Sequence, residues 1–301
     1  MLSEHFDVIT LQSPKDDDAA TLSRANVLFA PLGYQVDKQK IDSCPSLRVV
    51  ASNTTGHPHI DVDYCKELGI GVACLKFAPA FLQSITPTAE LAFGQIIALT
   101  RNVIKAHESC MAGDWNRRPF GASGMLSRKR LGVVGLGRLG SLVARYGDAF
   151  GMEVGWFDPY VQSFAYRRYA SLHDLARNCD ILSLHVPHEK TTENMVDQSV
   201  FDAMPRGSYF VNTARGELVD WAALLVALKS GHLAGAALDV FEGEFVPGFA
   251  DTFRNHPLLD YARSNGNVLL TPHIGGSTID AWRETEMKTI EMSLDILKSS
   301  E

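Results

Sequence analysis

Residues Leu131–Val134 form a short apolar run that leads straight into Gly135, Gly137 and Gly140 at GxGxxG spacing. An apolar, helix-compatible stretch follows, and an acidic residue, Asp158, comes 18 residues after the last glycine. Each part has its own physical job. Gly135 permits a tight turn, Gly137 lets backbone approach a pyrophosphate, and Gly140 lets helix and strand pack closely. The opening of the helix, with Arg138 and Leu139, then meets phosphate charge. Met152–Asp158 reads as the next strand, ending in a carboxylate that can accept both ribose hydroxyls and would repel a 2′-phosphate. The expected cofactor is therefore NAD rather than NADP, bound on a parallel α/β sheet.

A full domain's worth of chain precedes this motif, and 301 residues suggest two domains. With 46% hydrophobic and 21% charged residues, each can own a core. No apolar run approaches the roughly 18 residues needed to span a bilayer, and Met1–Asp7 lack the features of a signal peptide. A net charge of −7 argues against a nucleic-acid partner, which would need clustered Lys and Arg. The run Lys15–Asp18 reads as a solvated loop or a helix start. Five scattered cysteines without a CxxC pair fit reduced thiols in the cytoplasm better than a disulfide framework. Ten histidines without HxxxH or HExxH spacing predict no metal site.

Before the motif, apolar runs at Phe6–Thr10, Asn26–Ala30, Leu47–Ser52 and Ile70–Leu75 alternate with helix-compatible stretches, the pattern of a small parallel α/β domain. Thr86 and Pro87 then offer a capped start, and apolar spacing through Ile104 predicts one long connecting helix from Thr86 to Trp115. After the motif, strands read at Ile181–Val186, Ser208–Thr213, Gly235–Val240 and Asn267–Thr271, and a helix over Trp221–Lys229 is closed by Gly231. A final helical stretch from Ser277 to Ser300 is expected to return to the first domain, making that domain discontinuous.

Three further residues fall just after predicted strands, where open α/β sheets carry their ligand-binding loops. Arg215 presents a planar fork that can clamp a carboxylate, the alternative being a structural ion pair. His273 lies on a loop bounded by Pro272 and Gly275, which favours function over a satisfied core histidine. Glu244 taken alone is no more than an exposed acid.

Four blocks in order, Gly135–Gly140, Phe210–Asp220, Gly235–Glu242 and Thr271–Ser277, together with those residues, make the chain resemble the D-isomer-specific 2-hydroxyacid dehydrogenases over nearly its whole length. The resemblance implies two Rossmann-like domains: a doubly wound parallel NAD-binding domain at 96–275, inserted into a smaller flavodoxin-like substrate domain at 1–95 plus 276–301. It implies that Arg215 holds the substrate carboxylate and carbonyl, His273 is the acid/base, and Glu244, rather than Glu242, is its orienting partner. Asp239, with Thr213 beside it, falls where the family binds the nicotinamide carboxamide. Val186, Thr55, Gly275 and Gly276 are further candidate cofactor contacts. Backbone amides around Asn53 and Thr54 are the candidate carboxylate ligands of the first domain.

The resemblance also implies a homodimer and a small D-2-hydroxy acid or 2-keto acid as the small-molecule partner. No Arg or Lys occurs between Arg48 and Lys66, which disfavours 3-phosphoglycerate and leaves glyoxylate or hydroxypyruvate as better candidates. The long segment between Glu244 and His273 is expected to form a lid or a surface excursion. An alternative from another class is an NAD-sensing regulatory or corepressor-like protein on the same fold.

Overall fold

Side-chain alternation along parallel strands organises the larger of two units, Thr86–Gly276. Its sheet comprises β4 (Arg130–Val134), β5 (Glu153–Phe157), β6 (Arg167–Arg168), β7 (Ile181–Leu184), β8 (Ser208–Asn212), β9 (Leu233–Leu238) and β10 (Val268–Leu270). The strand order is β10-β9-β8-β7-β4-β5-β6, every pairing parallel. Successive residues point to opposite faces. Leu182, Leu184, Phe210, Ala236 and Leu238 accordingly join one buried cluster, with the Trp221–Lys229 helix. Ile181, Val211 and Ala237 join the other, with Ala89, Phe93 and Ile96 of the Pro87–Thr100 helix. The chain runs outward from β4 through β5 and β6, then restarts at β7 on β4's other side. The carboxyl ends of β4 and β7 thus form the switch point at which such sheets bind ligands.

The smaller unit, Met1–Ile85 with Ser277–Glu301, has a three-stranded parallel sheet of β1 (Val27–Phe29), β2 (Val49–Ser52) and β3 (Gly71–Cys74). Val49 and Ala51 face Met292 and Ile296 of the Ile279–Ser299 helix, whereas Val50 faces Ile41, Cys44 and Cys65. Gly71 makes the close approach possible, because a Cβ there would overlap the Ile296 side chain. The division at Ile85/Thr86 precedes the Pro87–Thr100 helix, where the expected boundary at 95/96 would cut it.

The computed structural model describes residues 2–11, 17–57, 59–121, 123–246 and 248–299. Lys15 and Asp16 of the expected charge run lie outside them. Asp18 caps the short Ala19–Leu22 helix through Thr21 N. Three expectations are corrected. Phe6–Thr10 forms no strand: Val8 and Ile9 stay 41% and 51% exposed, so the run presents no buried face for a sheet to use. The long helix is broken after Thr100, and a second helix, Val103–Met111, starts beyond Asn102, whose backbone is left-handed at φ 52°. Asn tolerates that conformation through its short polar side chain. The segment after Glu244 is no lid. It forms helices Phe249–Arg254 and Pro257–Asn265. Phe249, Phe253 and Tyr261 pack on the core of the larger unit, and Leu258 is fully buried in it.

Among the described residues no helix is long and apolar enough to cross a membrane, and no group of His, Cys, Asp and Glu is placed to hold a metal.

Candidate active site

The turn after β4 is built as a phosphate cradle. Gly135 sits at φ 85° and donates to Phe157 O at 2.9 Å. A Cβ there would strike Val186 Cγ1 at 2.6 Å and the His185 carbonyl oxygen at 2.8 Å, so this glycine lets β4 and β7 close on each other at the switch point. A Cβ on Gly140 would overlap the Gly135 carbonyl. At Gly137, the N-cap of the Arg138–Ala149 helix, a Cβ meets none of the described residues within 4 Å. No packing among the described residues requires glycine at 137, so the open space over it is room for a ligand at a helix N-terminus.

The two glycines therefore predict opposite outcomes. Gly137→Ala is expected to shift the melting temperature by no more than about 4 °C yet weaken NADH binding at least roughly tenfold through lost backbone approach. Gly140→Ala is expected to destabilise the fold by about 3 kcal/mol or more. Thermal melts and fluorescence titration with NADH check both.

Two more observations test the fit of a dinucleotide. The Thr213 hydroxyl, just past β8, is buried with no hydrogen-bond partner among the described residues, and a ligand group would satisfy it. Asp158 lies buried at the end of β5. Its Oδ2 accepts from Leu136 N at 2.8 Å, and its Oδ1 accepts from Tyr160 N at 2.8 Å and Val161 N at 3.0 Å. A carboxylate has about four acceptor positions, so one remains, on Oδ2. That suits a single ribose hydrogen bond where the sequence suggests two, while the negative charge that disfavours a 2′-phosphate is in place. Val186 lies beside Gly135. The preceding His185 bonds Ser183 Oγ through Nε2 at 2.9 Å, and burial pushes its imidazole down to about 4, keeping it neutral. Burial likewise lowers the pKa of Arg138, while Leu139 packs on the core.

Arg215, Glu244 and His273 arise from loops at the carboxyl ends of the adjacent strands β8, β9 and β10. The first two loops are locked together: Gly216 packs on the Phe241–Glu242 peptide, where any Cβ would clash, and Gly243 N donates to Glu217 Oε1 at 3.2 Å. The half-buried Arg215 donates to Ala214 O at 2.6 Å, and among the described residues it forms no ion pair, so its charge is uncompensated. His273 Nδ1 meets Glu244 Oε1 at 2.8 Å, and the Phe245 ring lies 5.5 Å from the imidazole. Glu242 is exposed, so geometry selects Glu244. A carboxylate can only accept, which assigns the proton to Nδ1 and leaves Nε2 as the working nitrogen.

His273 has a left-handed backbone, φ 52°, a conformation that costs a non-glycine residue about 1–2 kcal/mol. Asp239 holds it there. The Asp239 carbonyl accepts His273 N at 2.8 Å. Its carboxylate accepts Thr271 Oγ1 at 2.5 Å and Ile274 N at 2.9 Å on Oδ1, and Gly275 N at 2.7 Å on Oδ2. Hydrogen bonds to a charged group contribute roughly 1.5–3 kcal/mol each, enough to offset the strain. Asp239 is 1% exposed and retains one acceptor position, so the carboxylate read in the sequence as a cofactor ligand is first the clamp of the histidine loop. Gly275 is buried against it, whereas Gly276 is open. Thr271, and Gln95 which donates to it at 2.9 Å, were not singled out in the sequence. The available signal was an amide amid the apolar positions Phe93 and Ile96.

In the smaller unit, Asn53, Thr54 and Thr55 follow β2. Thr54 Oγ1 bonds Ser52 Oγ at 2.8 Å and Gly56 O at 2.6 Å, so this loop is internally braced. Asn53 is half-buried and Thr55 exposed. His59 Nε2 lies 3.2 Å from Ser52 Oγ, and burial lowers the pKa of its imidazole.

Residues 93–275 match the family model described as D-isomer specific 2-hydroxyacid dehydrogenase, NAD binding domain. A glyoxylate reductase of Aeropyrum pernix is 34% identical over 311 residues, covering 99% of this chain and 87% of that one. Another, of Thermofilum pendens, is 32% identical over 294 residues, covering 93% and 82%. The crystal structure of D-lactate dehydrogenase from Aquifex aeolicus, complexed with NAD and lactic acid, superposes with a TM-score of 0.81 at 30% identity, covering 95% of this chain and 86% of that one. These likenesses give no support to the regulatory alternative.

Proposed function

The chain belongs to the D-isomer-specific 2-hydroxyacid dehydrogenase family and is an NAD-dependent oxidoreductase; on that premise we propose that it interconverts a small 2-keto acid and its D-2-hydroxy acid. Glyoxylate, the substrate in its relatives' names, and hydroxypyruvate are the first candidates. The observation that carries this reading is the His273–Glu244 pair at 2.8 Å, with Nε2 left for a substrate oxygen.

Bound NADH supplies the hydride, which the protein cannot. Arg215 takes the substrate carboxylate in its fork and polarises the neighbouring carbonyl, and the substrate's negative charge balances a guanidinium that has no ion pair among the described residues. As the carbonyl oxygen gains negative charge, His273 in its imidazolium form releases the Nε2 proton to it. Glu244 keeps Nδ1–H bonded throughout, fixing the tautomer and the aim of the ring. In the oxidative direction the neutral Nε2 accepts the hydroxyl proton. Histidine suits the position because one imidazole nitrogen can both release and accept a proton, so a single group serves both senses.

The test is stereochemical. Hydroxypyruvate reduced with NADH should yield D-glycerate on chiral chromatography, and L-glycerate as the main product would defeat the proposal.

A further inference from the structure

We propose that Gln95, in the middle of the Pro87–Thr100 helix, is a positioning residue for His273 that acts through the Thr271 hydroxyl and the Asp239 carboxylate. This rests on the reading of His273 as the acid/base.

Gln95 is 2% exposed, on a helix whose neighbouring positions Ala92, Phe93 and Ile96 are core. A leucine or methionine there would bury apolar surface without cost. The amide instead brings two polar atoms inside, and only one is satisfied: Nε2 donates to Thr271 Oγ1 at 2.9 Å, while Oε1 has no partner among the described residues. A buried unsatisfied acceptor is destabilising, so stability does not account for glutamine here. What the residue contributes is one directed donor.

The direction is forced. Asp239 already accepts two backbone amides, Ile274 N and Gly275 N. The Thr271 hydroxyl hydrogen therefore points to Asp239 Oδ1, at 2.5 Å, and leaves its oxygen an acceptor. Only the NH2 side of Gln95 can complete that arrangement, which fixes the amide's orientation. The result is a three-member chain from a rigid helix to the carboxylate that grips the amides on the carboxyl side of His273. The same helix braces that carboxylate's other contact, since a Cβ on Gly275 would lie 3.0 Å from Thr88 Cγ2. With the carboxylate fixed, the left-handed backbone of His273 is fixed, and Nδ1 is aimed at Glu244. Loosening the chain misaims Nε2 without removing any group that touches substrate, and small misplacements of a reacting group carry large rate losses.

The test compares Gln95→Leu, Thr271→Val and Thr271→Ser with wild type in three measurements. These are melting temperature, kcat and KM for keto-acid reduction, and the low-field proton resonance of His273 Nδ1–H in the unliganded enzyme, assigned by its loss in His273→Asn. Gln95→Leu is expected to keep or raise the melting temperature, hold KM within about twofold and lower kcat roughly tenfold. Its Nδ1–H resonance should broaden or move upfield. Thr271→Val should do the same more strongly, and Thr271→Ser, which keeps the hydroxyl, should restore both. Wild-type kcat and an unshifted resonance in Gln95→Leu would overturn the proposal, and that variant decides the matter should Thr271→Val not fold. If wild type reduces no keto acid, the functional reading fails, and the resonance alone decides the positioning role.

Discussion

Replacing His273 with asparagine should lower kcat for keto-acid reduction by about a thousandfold or more while NADH binding, followed by fluorescence, stays close to wild type. Asparagine is chosen because position 273 is left-handed, φ 52°, a conformation it tolerates better than alanine does. Loop geometry is then preserved while the titrating ring is lost. The size of the effect follows from the arrangement. Glu244 holds Nδ1 at 2.8 Å, so Nε2 is the one imidazole nitrogen free to exchange a proton with substrate. An asparagine amide can donate a hydrogen bond but cannot deliver a proton near neutral pH. Keto-acid reduction at a wild-type rate in this variant would remove histidine from the mechanism.

Arg215→Leu should lower kcat/KM by roughly a hundredfold to ten-thousandfold, with a higher KM for the keto acid and an unchanged melting temperature. Two charge-assisted hydrogen bonds to a carboxylate contribute about 1.5–3 kcal/mol each, and that sum sets the range. Stability is spared because the guanidinium has no ion pair among the described residues and one bond, to Ala214 O. Arg215→Lys should recover charge but little rate, because a point charge does not reproduce the bidentate fork. A fall in melting temperature matching the loss of activity would instead favour the structural reading of this arginine.

The legibility of the site followed the range of each interaction. The GxGxxG turn is largely local: Gly140 packs on the Gly135 carbonyl within the same turn, and although Gly135 also makes room for Val186 beyond β7, spacing alone carries the motif. Arg215 and His273 could be placed because strand ends in a parallel sheet converge on one edge. Glu244 was preferred to Glu242 through the family resemblance alone, since taken by itself it read as an exposed acid; the turn geometry leaves Glu242 exposed and sets Glu244 Oε1 2.8 Å from His273 Nδ1.

The rest was hidden for definite reasons. The break at Asn102 interrupts a helical pattern without proline or glycine, so periodicity runs straight through it. The Phe6–Thr10 run has strand composition, yet Val8 and Ile9 remain exposed. The segment after Glu244 reads as an excursion because its aromatic residues are irregularly spaced, yet Phe249 and Phe253 pack on Phe241 and His256 on Trp221, contacts no local pattern records. Asp239 was legible as important but not as a clamp, because its partners, Thr271, Ile274 and Gly275, lie more than 30 residues away.

The most direct test of the account is the initial rate of NADH oxidation by wild type and His273→Asn, side by side, against glyoxylate, hydroxypyruvate, pyruvate, phenylpyruvate and phosphohydroxypyruvate, with NADPH in parallel. The account predicts turnover by wild type on at least one unphosphorylated keto acid, with NADH preferred over NADPH and the activity abolished in the variant. Equal rates in the two proteins, or NADH binding without turnover of any keto acid, would contradict it.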